Sequence, residues 1–289
     1  MSERRHITTS ALGNAKGFGL VYTKILGWID LGHARGDDSR RLKRILFEEK
    51  ERKFFPEFND WYFPVDYFQE MKKSLYFNIE AWGGVNAPLM VRSCLSRELK
   101  NRIALTIMMK TAWRFEAFQA SSLLNWFSDS GFSCEDLVSD LVGFYRVFGN
   151  GIDPLVLAQP TDIAYGRSIW DFYGPVGNFK NKGFRPLLFP EPNPLRKPLP
   201  RFGYIPTWLN YIQPLGDLSN KYISNRFVKY PYNNFFDDKN RLNRDLYISL
   251  RKKVDRFAPE SLDIPSHFYI HPHYPVAPDY FHFPQDYLK

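Results

Sequence analysis

The sequence predicts an α+β fold: a small antiparallel sheet packed on a long helix pair, with an irregular, proline- and aromatic-rich C-terminal half wrapping that core. Three observations predict it. The first third holds runs that either alternate apolar and polar residues or are rich in β-branched and aromatic side chains, as half-buried strands require. The middle holds the two longest apolar patterns of helical period. From Gly149 onward, proline and aromatic residues crowd the chain with little period. Residues 1–150 are therefore expected to form the core, and 151–289 an extension packed on it as one continuous globular unit.

The run Gly19–Ile29 reads as a strand that delivers the segment Gly27–Asp38, GWIDLGHARGDD, at its exit. This is the stretch richest in chemistry. Trp28, Asp30, His33 and Arg35 follow one another closely, and Gly32 and Gly36 bracket the histidine, where glycine allows the tight backbone found beside pockets. His33 either caps a backbone group at a polar strand end or works with a partner elsewhere in the chain. Asp38–Phe55 has helical period through Leu42, Ile45, Leu46 and Glu49, opened by Asp37, Asp38 and Ser39 and ended by Pro56. Asp60–Phe68 reads as an aromatic loop. Ser74–Ala81 alternates like a strand, Gly83-Gly84 turns it, and Ala87–Cys94 is its expected partner.

Ser96–Phe127 carries one broad apolar stripe, with Lys110 and Arg114 on the wetter side. Glu116 lies beside the stripe. A carboxylate buried there is costly unless paired, so His33 or Arg35 is its expected partner, the alternative being a boundary glutamate that reaches water. A second helix starts at Ser133, with Asp136 at capping-box spacing, and ends at Gly149. The short connection predicts an antiparallel pair. Cys134 at the head of that helix invites a permuted papain-like reading, since the helix dipole favours thiolate. Glu135 and Asp136 oppose it, and Cys134 is expected to be buried and unreactive.

Three blocks in order, GWIDLGHAR, WRFEAFQASS and GFSCEDLVSDLVGFY, resemble the bacterial domain-of-unknown-function family with serial number four-zero-five-six over roughly Gly17–Gly149. That family shows FIDxxHxR, WHExxTW and FSPEDxxSNLxG in the same order. The resemblance places His33, Arg35, Glu116, Glu135, Asp136, Ser139 and Gly143 at polar or glycine signature positions. The chain departs from it at Arg114-Phe115, where the family has a histidine before the glutamate, at Phe118-Gln119 and at Cys134, a proline position. The resemblance implies no settled activity.

Farther along, helical pieces are expected at Asp162–Phe172 and Arg241–Arg256. The tail holds four of the six histidines, at 267, 271, 273 and 282. His267, His271 and His273 have spacing that could reach one ion, but Pro272 and Pro275 favour an extended path, and an aromatic strap is the expected role. No metal and no cofactor is expected.

Composition narrows function by exclusion. Two well-separated cysteines give neither a disulfide framework nor a zinc cluster. The N-terminus has no signal-like apolar region and no run reaches membrane-span length, so a soluble chain, cytoplasmic at synthesis and exported, if at all, without a cleaved leader, is expected. The formal net charge of +8 favours acidic partners. Its basic residues are scattered and no nucleic-acid fold signature accompanies them, so an anionic polymer is the expected partner and nucleic acid is not. P-loop, GxGxxG and GxSxG signatures are missing. Nothing in the sequence sets an oligomeric state.

What remains is an acid–base site: His33, Glu116 and Glu135 as catalytic groups, with Arg35, Asp30 and Trp28 binding substrate. The expected activity is a bacterial hydrolase or lyase acting on an envelope-associated polymer, in the manner of an exported antibacterial toxin. The alternative is a non-catalytic binding or structural protein in which His33, Arg35 and Glu116 form a buried polar brace.

Overall fold

The computed structural model describes residues 2–8, 18–55, 58–74, 80–119, 131–195, 199–215 and 222–224. It is an α+β structure that divides into two compact units interleaved in sequence. The first contains the described residues up to Ser39 and from 131 to Pro214; the second contains those from Arg40 to 119, with Leu215 and 222–224. The units thus alternate along the chain.

In the first unit the expected strand at 19–29 is two strands, β1 (Leu20–Thr23) and β2 (Gly27–Asp30), joined by a tight turn and paired antiparallel from Leu20↔Asp30 to Thr23↔Gly27. The composition of a buried strand covers both arms, and the turn is made by Thr23. Its hydroxyl donates to the Gly27 carbonyl and accepts from the Leu26 amide, which no period could announce. The proline-rich segment supplies β6 (Leu187–Leu188), parallel to β2 at Gly27↔Leu187, and β7 (Arg201–Phe202) outside it. Over this sheet lies α5 (Ile163–Tyr173), capped by the Asp162 carboxylate on the Tyr165 amide, close to the expected Asp162–Phe172.

An aromatic core joins hairpin and wrapping segment. Tyr22 meets Trp28 edge-on at 5.1 Å, Trp28 meets Trp170 at 6.1 Å, and the Tyr22 hydroxyl donates to the Phe189 carbonyl. Cys134 belongs to the same core, so its expected burial holds.

The other helices of this unit are α3 (Asp136–Phe148) and the single turn α4 (Pro154–Leu157). The expected capping box on α3 does not form. Ser133 is instead drawn into a bridge with Lys180, and the Asp136 amide bonds to the Ser133 carbonyl. The helix therefore begins with a backbone turn rather than a side-chain cap.

The second unit is an antiparallel sheet ordered β3 (Lys53–Phe55), β4 (Asp60–Ser74), β5 (Glu80–Arg92) and β8 (Ile223–Ser224), with α2 (Arg97–Gln119) packed on β4 and β5. The expected aromatic loop at 60–68 is the first half of β4. Its alternation of buried Tyr62, Phe63, Val65 and Tyr67 with more open neighbours is a strand pattern hidden by the density of rings. Gly83 and Gly84 do not turn the chain; they sit within β5, opposite Met71 and Glu70. Residues 75–79, expected to be strand, lie outside the described residues.

The division between units falls inside α1 (Asp37–Glu48), whose Leu42 and Leu46 are buried as expected. This helix ends before Pro56 is reached. Glu49 takes φ +45° and turns its buried carboxylate to the Lys100 ammonium at 2.6 Å and the Arg52 guanidinium at 2.7 Å. The same carboxylate accepts the Cys94 amide. Pairing a buried anion outweighs continuing the helix.

In α2 the wetter side expected at Lys110 is absent: Lys110 is buried, as are all residues from Ile103 to Ala112. The stripe read from the sequence understated this burial because threonine, methionine and lysine stems also fill an interior. Of the two helices expected to pair, α2 belongs to the second unit and α3 to the first. The described part of the chain ends short of both the expected helix Arg241–Arg256 and the tail histidines.

Gly143 on α3 packs against Gly36, which takes φ +73°. A Cβ on Gly143 would stand 2.6 Å from the His33 carbonyl oxygen, and one on Gly36 would collide with the Gly143 carbonyl. Gly143→Ala is expected to destabilise the fold by about 1–3 kcal/mol, the usual cost of forcing a methyl into a filled contact. Gly177→Ala, whose Cβ meets only the Ser133 hydroxyl at 3.8 Å, serves as the control with little change. Chemical denaturation of both variants checks this, and equal stability would show that the backbones are free to separate.

Candidate functional site

The site is built where the exit of β2 lies on one face of α3. After Asp30 the chain is bent by the Asp30 carboxylate, which accepts the amides of Gly32 (2.6 Å) and His33 (3.4 Å). This is the local turn chemistry of aspartate. One 3-10 turn, His33–Arg35, follows and is closed by Gly36.

Three side chains or contacts on α3 then fix the loop. The Ser139 hydroxyl accepts the Asp30 amide at 2.9 Å and donates to the Glu135 carbonyl at 2.6 Å. Gly143 makes the close backbone contact with Gly36. Arg146 donates to the Ala34 carbonyl at 2.9 Å while its fork grips both oxygens of Asp153. Residues 139, 143 and 146 recur at helical spacing, so they share one face.

Asp140 lies on that helix too, and its Oδ1 meets Nδ1 of His33 at 3.0 Å. The Asp140 side chain is only 7% exposed and that of His33 29%. The pairing assigns Nδ1 the role of donor and leaves Nε2 without a protein partner among the described residues. Glu135, 2% exposed, and Asp140 each keep one buried carboxylate oxygen, Oε2 and Oδ2, with no hydrogen-bond partner among the described residues.

These neighbours set the charge states. Burial disfavours the imidazolium of His33, but the charge and hydrogen bond of Asp140, aided by the charges of Asp136 and Asp30, outweigh it and raise the pKa well above 6.5. Burial raises the Glu135 carboxyl pKa, helped by the charge of Asp30 and opposed by a hydrogen bond from Ser133 and by His33. The Cys134 thiol pKa is raised by burial and then by the negative charges of Glu135 and Asp136, which opposes the thiolate that a nucleophile needs.

Of the residues expected at the site, the structure brings together His33, Asp30 and Glu135. It places Asp30 as the residue that shapes the turn. Trp28 is corrected: expected on a binding surface, it is 2% exposed and locked in the aromatic core, because an indole at that position of β2 faces the sheet's packed side. Arg35 is on the surface, paired with Asp37 at 2.6 Å and set over the Phe18 ring. Glu116 is buried, within the second unit.

The partner of the His33 ring is therefore Asp140, which sequence reasoning did not single out. A signal was available: Glu135, Asp136, Ser139, Asp140 and Gly143 stand at i, i+1, i+4, i+5 and i+8, an acidic and small stripe on an otherwise apolar helix.

Searches against protein-family models, curated proteins and solved structures find no match. The fold and site thus define only a class, an α+β protein with an Asp–His pair at a strand exit.

Because the folded pKa of His33 is raised, the pair contributes stability that is fully present below the ordinary histidine value of 6.5 and is lost as pH rises through the folded value. Melts across pH should fall over that window in the wild type and fall less in Asp140→Asn. A His33 ring that titrates at or below 6.5 by NMR would contradict the pairing. Thiol labelling should be fast at one site per native chain, the exposed Cys94, with Cys134 reacting only after denaturation.

Proposed function

We propose that this protein is an acid–base hydrolase or lyase in which His33 is the working group and Asp140 orients it. The observation that supports this most is the His33–Asp140 pair itself, with Nδ1 held at 3.0 Å and Nε2 unpartnered on a partly exposed ring. A carboxylate on one ring nitrogen fixes the tautomer and presents the other nitrogen for proton transfer. With its pKa raised by Asp140, His33 favours the imidazolium form. It donates the Nε2 proton to a leaving oxygen or nitrogen, and the neutral ring takes a proton back from water or substrate. Asp140 stabilises the charged form throughout. Glu135, buried next to this pair, is the second titratable group in reach of the same space.

An envelope-associated polymer as substrate, and export as an antibacterial toxin, belong to the same proposal; they rest on the likeness to a bacterial family and on the basic composition. The proposal names only groups of the first unit, and Glu116 is no part of it. The second reading, a polar brace, is favoured by the ties from Ser139, Gly143 and Arg146. These hold the loop whether or not chemistry occurs.

His33→Gln separates the two readings, since it keeps a donor for Asp140 and removes the titrating ring. An enzyme should lose about 10²–10⁴-fold in release of fragments from purified bacterial sacculi while still melting cooperatively. Asp140→Asn should move the alkaline limb of the pH profile to lower pH. A brace should retain whatever the wild type does in His33→Gln, and be destabilised by about 3–5 kcal/mol in His33→Ala, which strands the Asp140 charge.

A further inference from the structure

The turn that presents His33 is weakly bonded within itself. The Arg35 amide reaches the Gly32 carbonyl, the Gly36 amide the His33 carbonyl and the His33 amide the Asp30 carboxylate, each at 3.4 Å. These lie beyond the usual range of roughly 2.7–3.2 Å for such bonds. The ring is held more closely, because its bond to Asp140 at 3.0 Å weakens steeply with distance and angle. Ser139 ties the chain before the turn, at the Asp30 amide, and Gly143 meets it after the turn, at Gly36. Between these two points Arg146 donates through Nη1 to the Ala34 carbonyl at 2.9 Å.

Arg146 is itself held. Its Nε and Nη2 grip the two oxygens of Asp153 at 2.8 and 2.6 Å, with the two side chains only 18% and 28% exposed. A forked pair fixes the plane of the guanidinium, so Nη1 is aimed at the turn. Asp153 in turn accepts the Leu155 amide at 2.9 Å as the cap of α4. That single turn is anchored on the β1–β2 hairpin, whose Lys24 and Ile25 amides donate to the Gln159 and Ala158 carbonyls. A continuous series of bonds therefore runs from the hairpin through α4, Asp153 and Arg146 to the residue next to His33.

We propose that Arg146 is a positioning residue: locked by Asp153, its guanidinium holds the Ala34 carbonyl so that the His33 ring stays on Asp140. The consequence for activity rests on the reading of His33 as the working group, whereas the positioning itself does not. The charged groups on the elements packed against the turn are Asp30 on β2 and Asp136, Asp140 and Arg146 on α3, with Glu135 before that helix and Arg35, paired with Asp37, on the turn itself. Apart from the arginines all are acids. Loss of the Arg146 charge alone would therefore raise the His33 pKa, whereas a ring loosened from Asp140 falls back towards the ordinary 6.5. The two effects have opposite signs, which makes the role measurable.

The His33 ring is titrated by NMR in the full chain. Arg146→Lys keeps the charge and loses the fork, and it should lower the His33 pKa by about one unit, a tenfold change in proton affinity. A charge acting at a distance would leave the value unchanged, and that result overturns the inference. The double variant Arg146→Gln, Asp153→Asn removes a cation and an anion together and should give the same fall. Should Arg146→Lys fail to fold, the double variant decides, an unchanged or raised pKa being the result that overturns the inference.

A merely structural role is tested by Leu105→Ala, which opens a cavity in the core of the second unit and lowers the melting temperature without touching the turn. It should leave the His33 titration where it is. An equal fall there would mean that the ring answers to general loosening, which also overturns the inference. A fall in Arg146→Lys alone, in a protein that releases nothing from sacculi, would overturn the hydrolase reading and leave the positioning role standing.

Discussion

The close approach of Gly36 to Gly143 is the constraint on which the His33 site depends. With no Cβ on either residue, the strand exit lies directly on α3, and a side chain at either point would have to push the loop away. At that separation three weaker interactions come into range together: Ser139 with the Asp30 amide, Arg146 with the Ala34 carbonyl, and Asp140 with the His33 ring. Hydrogen bonds of this kind each add about 1 kcal/mol and depend steeply on distance, so they cannot hold the loop one at a time. Contact between the two backbones makes them simultaneous.

The electrostatics follow from the same contact. Placing the loop on α3 places an imidazole among carboxylates that the helix and strand carry for their own reasons. Asp30 turns the chain, and Asp136 opens α3 where the helix dipole favours an acid. His33 lies in that concentration of negative charge, which raises its pKa against the cost of burial. Cys134, at the position where a helix head would ordinarily help a thiolate, is opposed by burial and by the same acids. Its role is to pack against the aromatic core.

In the second unit a comparable decision is made by Glu49. Its carboxylate gathers Lys100, Arg52 and the Cys94 amide, linking the end of α1 to the start of α2 and to the segment after β5. The cost of a buried, unpaired glutamate is of the order of several kcal/mol, far above the cost of one residue at positive φ. So α1 stops at Glu48 although helical period continues beyond it. Each unit thus has a buried charge whose partners arrive from distant sequence and fix the local backbone.

The sequence by itself determined the α+β class, the helix capped by Asp162, the burial of Cys134 and the tight backbone of the turn that carries Asp30 and His33. These are properties of period, capping and glycine placement, read within one segment at a time. Tertiary structure decided that 19–29 is a hairpin, that the aromatic run at 60–68 is a strand, that Trp28 faces the core, and that His33 pairs with Asp140. The physical reason is the range of the interactions. Periodicity records which face of an element is buried, whereas the partner of a buried charge is chosen by which backbones can approach, and Gly36 and Gly143 stand more than a hundred residues apart in a chain where only folding brings them together.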